Sequence, residues 1–121
     1  MAVYDLEERT FHFAKRVRKF VRTLPTTIAN EKDSRQLIRA SGSVGANYRE
    51  ANDVLGKKKD FLMRIKVSRK EAKESAYWLK LISETHLLEN RTEGECLVQE
   101  ASELVKILSS IAQRSSAKPG V

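Results

Sequence analysis

The chain has 121 residues, 40% hydrophobic and 32% charged, with a formal net charge of +7, two prolines, five glycines and one cysteine. A domain of this length buries a core without staples, and the single Cys96 excludes an internal disulfide and a four-cysteine zinc site. No apolar run reaches the ~18 residues of a membrane span. Met1 to Glu8 lacks the basic and apolar regions of a secretory signal, and with a lone cysteine a reduced, cytoplasmic compartment is expected.

The first helix is expected from just after Asp5 to about Thr23, closed by Leu24-Pro25. Leu6, Phe13, Val17, Phe20, Val21 and Leu24 recur at threes and fours, the spacing of one helical face. At ~100° per residue, Lys15, Arg18, Lys19 and Arg22 fall opposite that stripe, which makes the wet face almost purely cationic. A second helix is expected from about Asn30 to Leu55, with cap candidates in Asn30 to Asp33 and a stop at Gly56. Its seam runs Leu37, Ser41, Val44, Tyr48, Ala51 and Leu55, with Ile38 beside it. Two glycines interrupt Ala40-Ser-Gly-Ser-Val-Gly-Ala46, each ~1 kcal/mol less favourable than alanine inside a helix. Either the helix breaks there or small residues admit a neighbouring helix. The unbroken three-four spacing favours close approach.

The third helix is expected from Lys58 or Asp60 to Leu88, with Phe61, Ile65, Ser68, Ala72, Ser75, Leu79 and Ile82 on its seam and Leu62 and Ala76 widening it. After a turn at Asn90-Arg-Thr92, the form Thr92-Glu-Gly-Glu95 suggests a capping box. The last helix then buries Leu97, Ala101, Leu104, Leu108 and Ile111. Four amphipathic segments, short turns and no alternating strand pattern describe an all-α, antiparallel up-down-up-down four-helix bundle over residues 1–112. A flexible tail is expected over 113–121. Seams close to a 3.5 repeat favour shallow crossing angles.

Catalytic and metal chemistry find little support. His12 and His86 are the only histidines, no Glu-x-x-His pair is present, and Cys96 has no partner histidine in view. Ser41-Gly-Ser-Val-Gly45 lacks the Gly-Lys-Ser/Thr ending and preceding strand of a phosphate-cradling loop. The expectation is a protein that is not an enzyme and holds no metal or cofactor.

Charge is more informative. Residues 57–80 hold nine Lys/Arg against three Asp/Glu, whereas residues 84–105 hold one Arg against six Glu. On the third helix Lys59, Lys66, Lys70, Lys73 and Lys80 line one flank of the seam. Lys57, Lys58 and Lys59 stand at its N-terminus, where the helix dipole disfavours cations. One reading is a solvated face partly neutralised by Glu71 and Glu74. A polyanion site accounts better for the one-sided first helix and the lysine triplet together. Its candidate phosphate contacts are Lys15, Arg18, Lys19, Arg22, Lys57, Lys58, Lys59, Lys66, Lys70 and Lys73. A surface of this kind, on RNA or DNA, reads little sequence. A pI near 9.7 agrees with such a partner, and no membrane is expected. The alternative partner for the basic face is an acidic protein, or the acidic last helix of a neighbouring copy. Arg39, Ser43, Asn47 and Glu50 share a stripe beside the second seam, as either a structural hydrogen-bond network or a ligand site; the network is the preferred reading.

Gln36-Leu-Ile-Arg39-Ala-Ser-Gly-Ser43-Val-Gly-Ala-Asn47-Tyr-Arg-Glu50-Ala resembles the pattern of a bacterial four-helix bundle family first noticed as proteins encoded within 23S rRNA intervening sequences. Lys59-Asp-Phe61 through Ser68-Arg-Lys-Glu71 and Leu79 resembles that family's third helix. The similarity covers roughly residues 8–110. Many relatives carry Pro where Gly45 stands and Gly where Ala51 stands. The resemblance implies a homo-oligomer in the form of a pentameric ring. It also implies kinship with the accessory variability protein of diversity-generating retroelements, a basic ring that binds nucleic acid and a reverse transcriptase. No motif in this chain points to the reverse transcriptase itself.

Overall fold

A computed structural model describes residues 5–54, 57–85 and 91–116 as four helices: α1 (Leu6–Arg22), α2 (Ile28–Asp53), α3 (Lys58–Thr85) and α4 (Arg91–Ser116). Expectations placed on Leu55, Gly56, residues 86–90 and the tail beyond Ser116 lie outside the described residues. α4 runs through Ser116, so residues 113–116 are helical where a tail was expected.

Local chemistry sets the ends. Asp5 caps α1, its side chain accepting from the Glu8 amide at 3.3 Å, and Glu7 and Glu8 occupy the first turn where the dipole favours anions. The C-terminus closes as the Thr23 amide and hydroxyl both donate to the Phe20 carbonyl, at 3.0 and 2.6 Å. The cap of α2 is Thr27, ahead of the Asn30 to Asp33 group suggested by the sequence. Thr27 is extended and its hydroxyl accepts from the Asn30 amide at 3.0 Å. Asn30 is buried, and its side-chain amide donates to the Pro25 carbonyl at 2.7 Å, so it ties down the loop. In α4 the helix has already begun at Arg91, which places Thr92 within the first turn; Glu95 meets Arg91 at 3.2 Å.

α1 packs against α2 and α4, α3 packs against the same two, and the backbones of neither diagonal pair come close among the described residues. The bundle is therefore a square with α1 and α3 at opposite corners. Its core holds Phe13, Val17 and Phe20 of α1, Leu37 and Val44 of α2, Ile65, Leu79 and Ile82 of α3, and Leu97, Leu104 and Leu108 of α4. The α3 seam keeps strict three-four steps from Ile65 to Ile82, the repeat of shallow, coiled-coil-like packing.

Halfway along, the core is built from small side chains: Ala40 and Ser41 on α2, Ser68, Ala72 and Ser75 on α3, and Ala101 on α4 all have no exposure. Buried hydroxyls need acceptors. Ser68 donates across to the Val44 carbonyl at 2.7 Å, while Ser75 donates within its helix to the Glu71 carbonyl at 2.9 Å. Helix α2 continues unbroken through Ala40 to Ala46, so close approach is the correct reading of that stretch.

The two glycines differ, however. A Cβ on Gly45 would lie 2.9 Å from the hydroxyl oxygen of Thr10 and 3.3 Å from its Cβ. Thr10 is fully buried and its hydroxyl already donates to the Leu6 carbonyl at 2.8 Å, so it has little room to yield. A Cβ on Gly42 would meet only the Arg18 guanidinium, at an ordinary 3.5 Å. The tight crossing is at Gly45 alone. Gly45→Ala is expected to lower stability by about 1–2 kcal/mol, overpacking outweighing the better helix propensity of alanine. Gly42→Ala is expected to leave stability unchanged or raise it by up to about 1 kcal/mol. Thermal unfolding of both variants checks this, and equal losses at the two sites would contradict the single crossing.

Candidate nucleic-acid interface

Five arginines reach across to neighbouring helices. Arg9 makes a two-pronged pair with Glu100, at 2.8 and 2.9 Å, and Arg16 makes another with Glu93, both contacts at 3.2 Å. The partners run in opposite order along α1 and α4, as antiparallel helices require. Arg49 of α2 approaches Glu7 of α1 at 3.6 Å. Arg39 spans to α3, donating to Glu71 at 3.3 Å and Glu74 at 2.8 Å. Hydrogen bonding and charge from Glu71, and then Glu74, raise the Arg39 pKa above its ordinary value. A planar fork suits such bridging better than a lysine's point charge.

The stripe of Arg39, Ser43, Asn47 and Glu50 is thus largely a seam between α2 and α3. The Asn47 side chain donates to the Ser43 carbonyl at 2.9 Å and accepts from Arg64 at 3.0 Å. Glu50 is exposed and takes no hydrogen bond or ion pair in the network among the described residues.

The remaining cations point outward. Lys15, Arg18, Lys19 and Arg22 are exposed on α1, opposite Phe13, Val17 and Phe20, and none has a carboxylate within ion-pair distance among the described residues. On α3, Lys59, Lys66, Lys70 and Lys73 are equally exposed and lack such a partner. They lie on the outward face, not on the flank of the seam where the spacing reading put them. Met63 and Tyr77, 51% and 60% exposed, fall on the same line. Lys59, Met63, Lys66, Lys70, Lys73, Tyr77 and Lys80 follow one another by fours and threes, a straight rail of about 32 Å at 1.5 Å per residue. Lys80, at the end of the rail, approaches Glu84 at 4.0 Å.

Lys59 joins the rail, whereas Lys57 and Lys58 line a separate depression with Val54, Phe61 and Ser115. The two basic faces are also separate, because α1 and α3 occupy opposite corners and each face points away from the core. Carboxylates on α4 are largely engaged within the chain: Glu93 and Glu100 by α1, Glu95 by Arg91, and Glu103 by the Gln99 amide at 3.3 Å.

Two packing features had not been found in the sequence. Gly94 is buried at the α3–α4 contact, where a Cβ would come within 2.5 Å of the Ser83 hydroxyl and 3.2 Å of the Phe20 ring. The Arg9/Arg16 and Glu93/Glu100 rungs carried a signal, since both pairs are spaced by seven and match in reverse order. His12 and Cys96 are exposed, and no group of three metal-ligating side chains occurs among the described residues. No helix there is long and apolar enough to cross a membrane.

The model of a family described as 23S rRNA-intervening sequence protein matches residues 4–110. Among solved structures, a protein of unknown function from the S23 ribosomal protein family of Bacteroides thetaiotaomicron VPI-5482 superposes with a TM-score of 0.75 at 29% identity, over 90% of this chain and 99% of that one. No curated protein matches the chain.

Arg39 carries the α2–α3 seam test. Glu71 is buried and one of its carboxylate oxygens is already without a partner, so Arg39→Ala leaves a buried charge unpaired. With Arg39 half exposed, the loss is expected to be about 1–2 kcal/mol in urea unfolding, against less than about 0.5 kcal/mol for Arg35→Ala, at a residue that is exposed and has no ion pair among the described residues.

Proposed function

The chain belongs to the 23S rRNA-intervening sequence protein family, and from that premise we propose that it is a non-catalytic, homo-oligomeric nucleic-acid-binding protein. The observation that carries the reading is the set of exposed cations on α1 and α3 that have no carboxylate partner among the described residues: Lys15, Arg18, Lys19, Arg22, Lys59, Lys66, Lys70 and Lys73. Cations that only balance internal acid sit beside it, as Arg9, Arg16 and Arg39 do. These do not. They suit a phosphate backbone of RNA or DNA, contacted without strong sequence preference.

The ring of five copies remains the resemblance's contribution, and with it the reverse-transcriptase partner. Assembly gives the opposed basic faces a use, since each copy adds a further rail to a surface larger than one subunit. A scaffold in which the basic face meets a neighbour's α4 is less favoured, because the α4 carboxylates are held mostly within their own chain. An acidic partner protein remains the competing occupant.

The test is a salt series of fluorescence anisotropy with random RNA and DNA probes. Replacing Lys15, Arg18, Lys19 and Arg22 with glutamine, or separately Lys59, Lys66, Lys70 and Lys73, is expected to flatten the salt slope on duplex DNA by up to about four units each. Weakening should be similar across unrelated sequences. Sedimentation equilibrium of the same samples is expected to give a multiple of 13.8 kDa, fivefold for the ring. Absence of wild-type binding at low salt points to the acidic protein partner instead, and a 13.8 kDa monomer contradicts the assembly.

A further inference from the structure

The small side chains where α1 crosses α2 leave more than a tight contact. Beside the Gly45 crossing a groove of about 600 Å³ opens to the surface, lined by small residues of both helices, Gly42 and Gly45 among them, and by Phe11, Lys15, Arg18 and Arg49. We propose that this groove holds one nucleotide of a single-stranded nucleic acid, its base against Phe11 and the small-residue lining and its phosphate against Arg18 and Lys15. The inference rests on the nucleic-acid reading and adds to it a site for an unpaired base.

Three observations converge on the groove. Gly42 lies inside α2, where glycine is a poor helix former, and no packed neighbour excludes a larger residue: a Cβ would meet only the movable end of Arg18. What a larger side chain there would remove is the depth of the groove. The Arg18 guanidinium lies over Gly42, donating to the Ala14 carbonyl at 3.3 Å, with no carboxylate partner among the described residues. A planar cation in that position both pairs with phosphate and lies flat against a ring. Phe11 is 52% exposed at the lip, and the Lys15 ammonium lies 5.6 Å from its ring centroid. An aromatic with cations beside it is the arrangement on which single strands stack.

The chemistry selects the strand state. A base in a duplex is stacked and paired on all sides and does not enter a groove on a protein surface without being extracted. An unpaired base enters directly. A second copy of this chain is a poorer occupant, because the cationic rim calls for an acidic surface and the α4 carboxylates are mostly engaged.

The experiment compares wild type, Phe11→Ala and Gly42→Leu by fluorescence anisotropy on single-stranded and duplex probes, with sedimentation of each. Neither substitution alters charge. Gly42→Leu fills the groove by displacing Arg18, and Phe11→Ala removes the lip without adding bulk. Each is expected to weaken single-strand binding about tenfold while duplex affinity changes less than about twofold. Unchanged single-strand affinity, or equal losses on both probes, overturns the groove while leaving the wider binding reading intact. A changed oligomer size with single-strand affinity retained also overturns it and assigns the groove to a contact between copies. Wild type binding neither probe overturns both this inference and the reading beneath it.

Discussion

Pairing of glutamate with arginine across the helix seams decides what the surface of this protein presents. Arg9 and Arg16 hold Glu100 and Glu93 between α1 and α4, Arg39 holds Glu71 and Glu74 between α2 and α3, and Arg49 reaches Glu7 between α2 and α1. Partly exposed pairs of this kind add little stability individually, up to about 1 kcal/mol. Their larger effect is on charge distribution. Five glutamates are drawn into the seams, while the lysines of α1 and α3 face outward. A net charge spread evenly over the surface would favour solubility alone; a charge gathered into two faces raises local potential and attracts polyanions.

Small side chains are the second organising choice. In the middle of α2 and α3, alanine, serine and glycine bring the helices together while hydroxyls such as Ser68 reach carbonyls across the contact. At Gly45 the choice serves α1, whose Thr10 occupies the space a Cβ would take. One turn earlier, at Gly42, the same choice produces concavity instead. Packing and the candidate base site thus share a stretch of sequence, and only the side chain on the facing helix distinguishes them.

Helix number, order and core stripes were legible because they depend on periodicity within each segment: Phe13, Val17 and Phe20, or Ile65 through Ile82, declare their face without reference to any partner. Features that depend on how two segments meet were less legible. Asn30 looked like a cap, yet its amide closes the loop onto Pro25 while Thr27 caps α2. Lys57, Lys58 and Lys59 are adjacent in sequence but diverge at a helix start, where each residue turns ~100° from the last. Gly94 gave no signal of its own, because what makes it necessary is Ser83 and Phe20 on other helices. The Arg–Glu rungs were available in principle, as matching heptad spacings read in opposite directions.

The proposed function makes the outward lysines of α1 and α3 that have no carboxylate partner among the described residues the surface that a nucleic acid covers. Differential amine labelling read by mass spectrometry measures it directly, with and without a saturating oligonucleotide. Lys15, Lys19, Lys59, Lys66, Lys70 and Lys73 should lose reactivity on binding. Lys32 on α2 and Lys106 on α4, which are exposed but away from both faces, should keep it. Protection centred on Lys32 and Lys106, or spread evenly over every exposed lysine, would contradict the account.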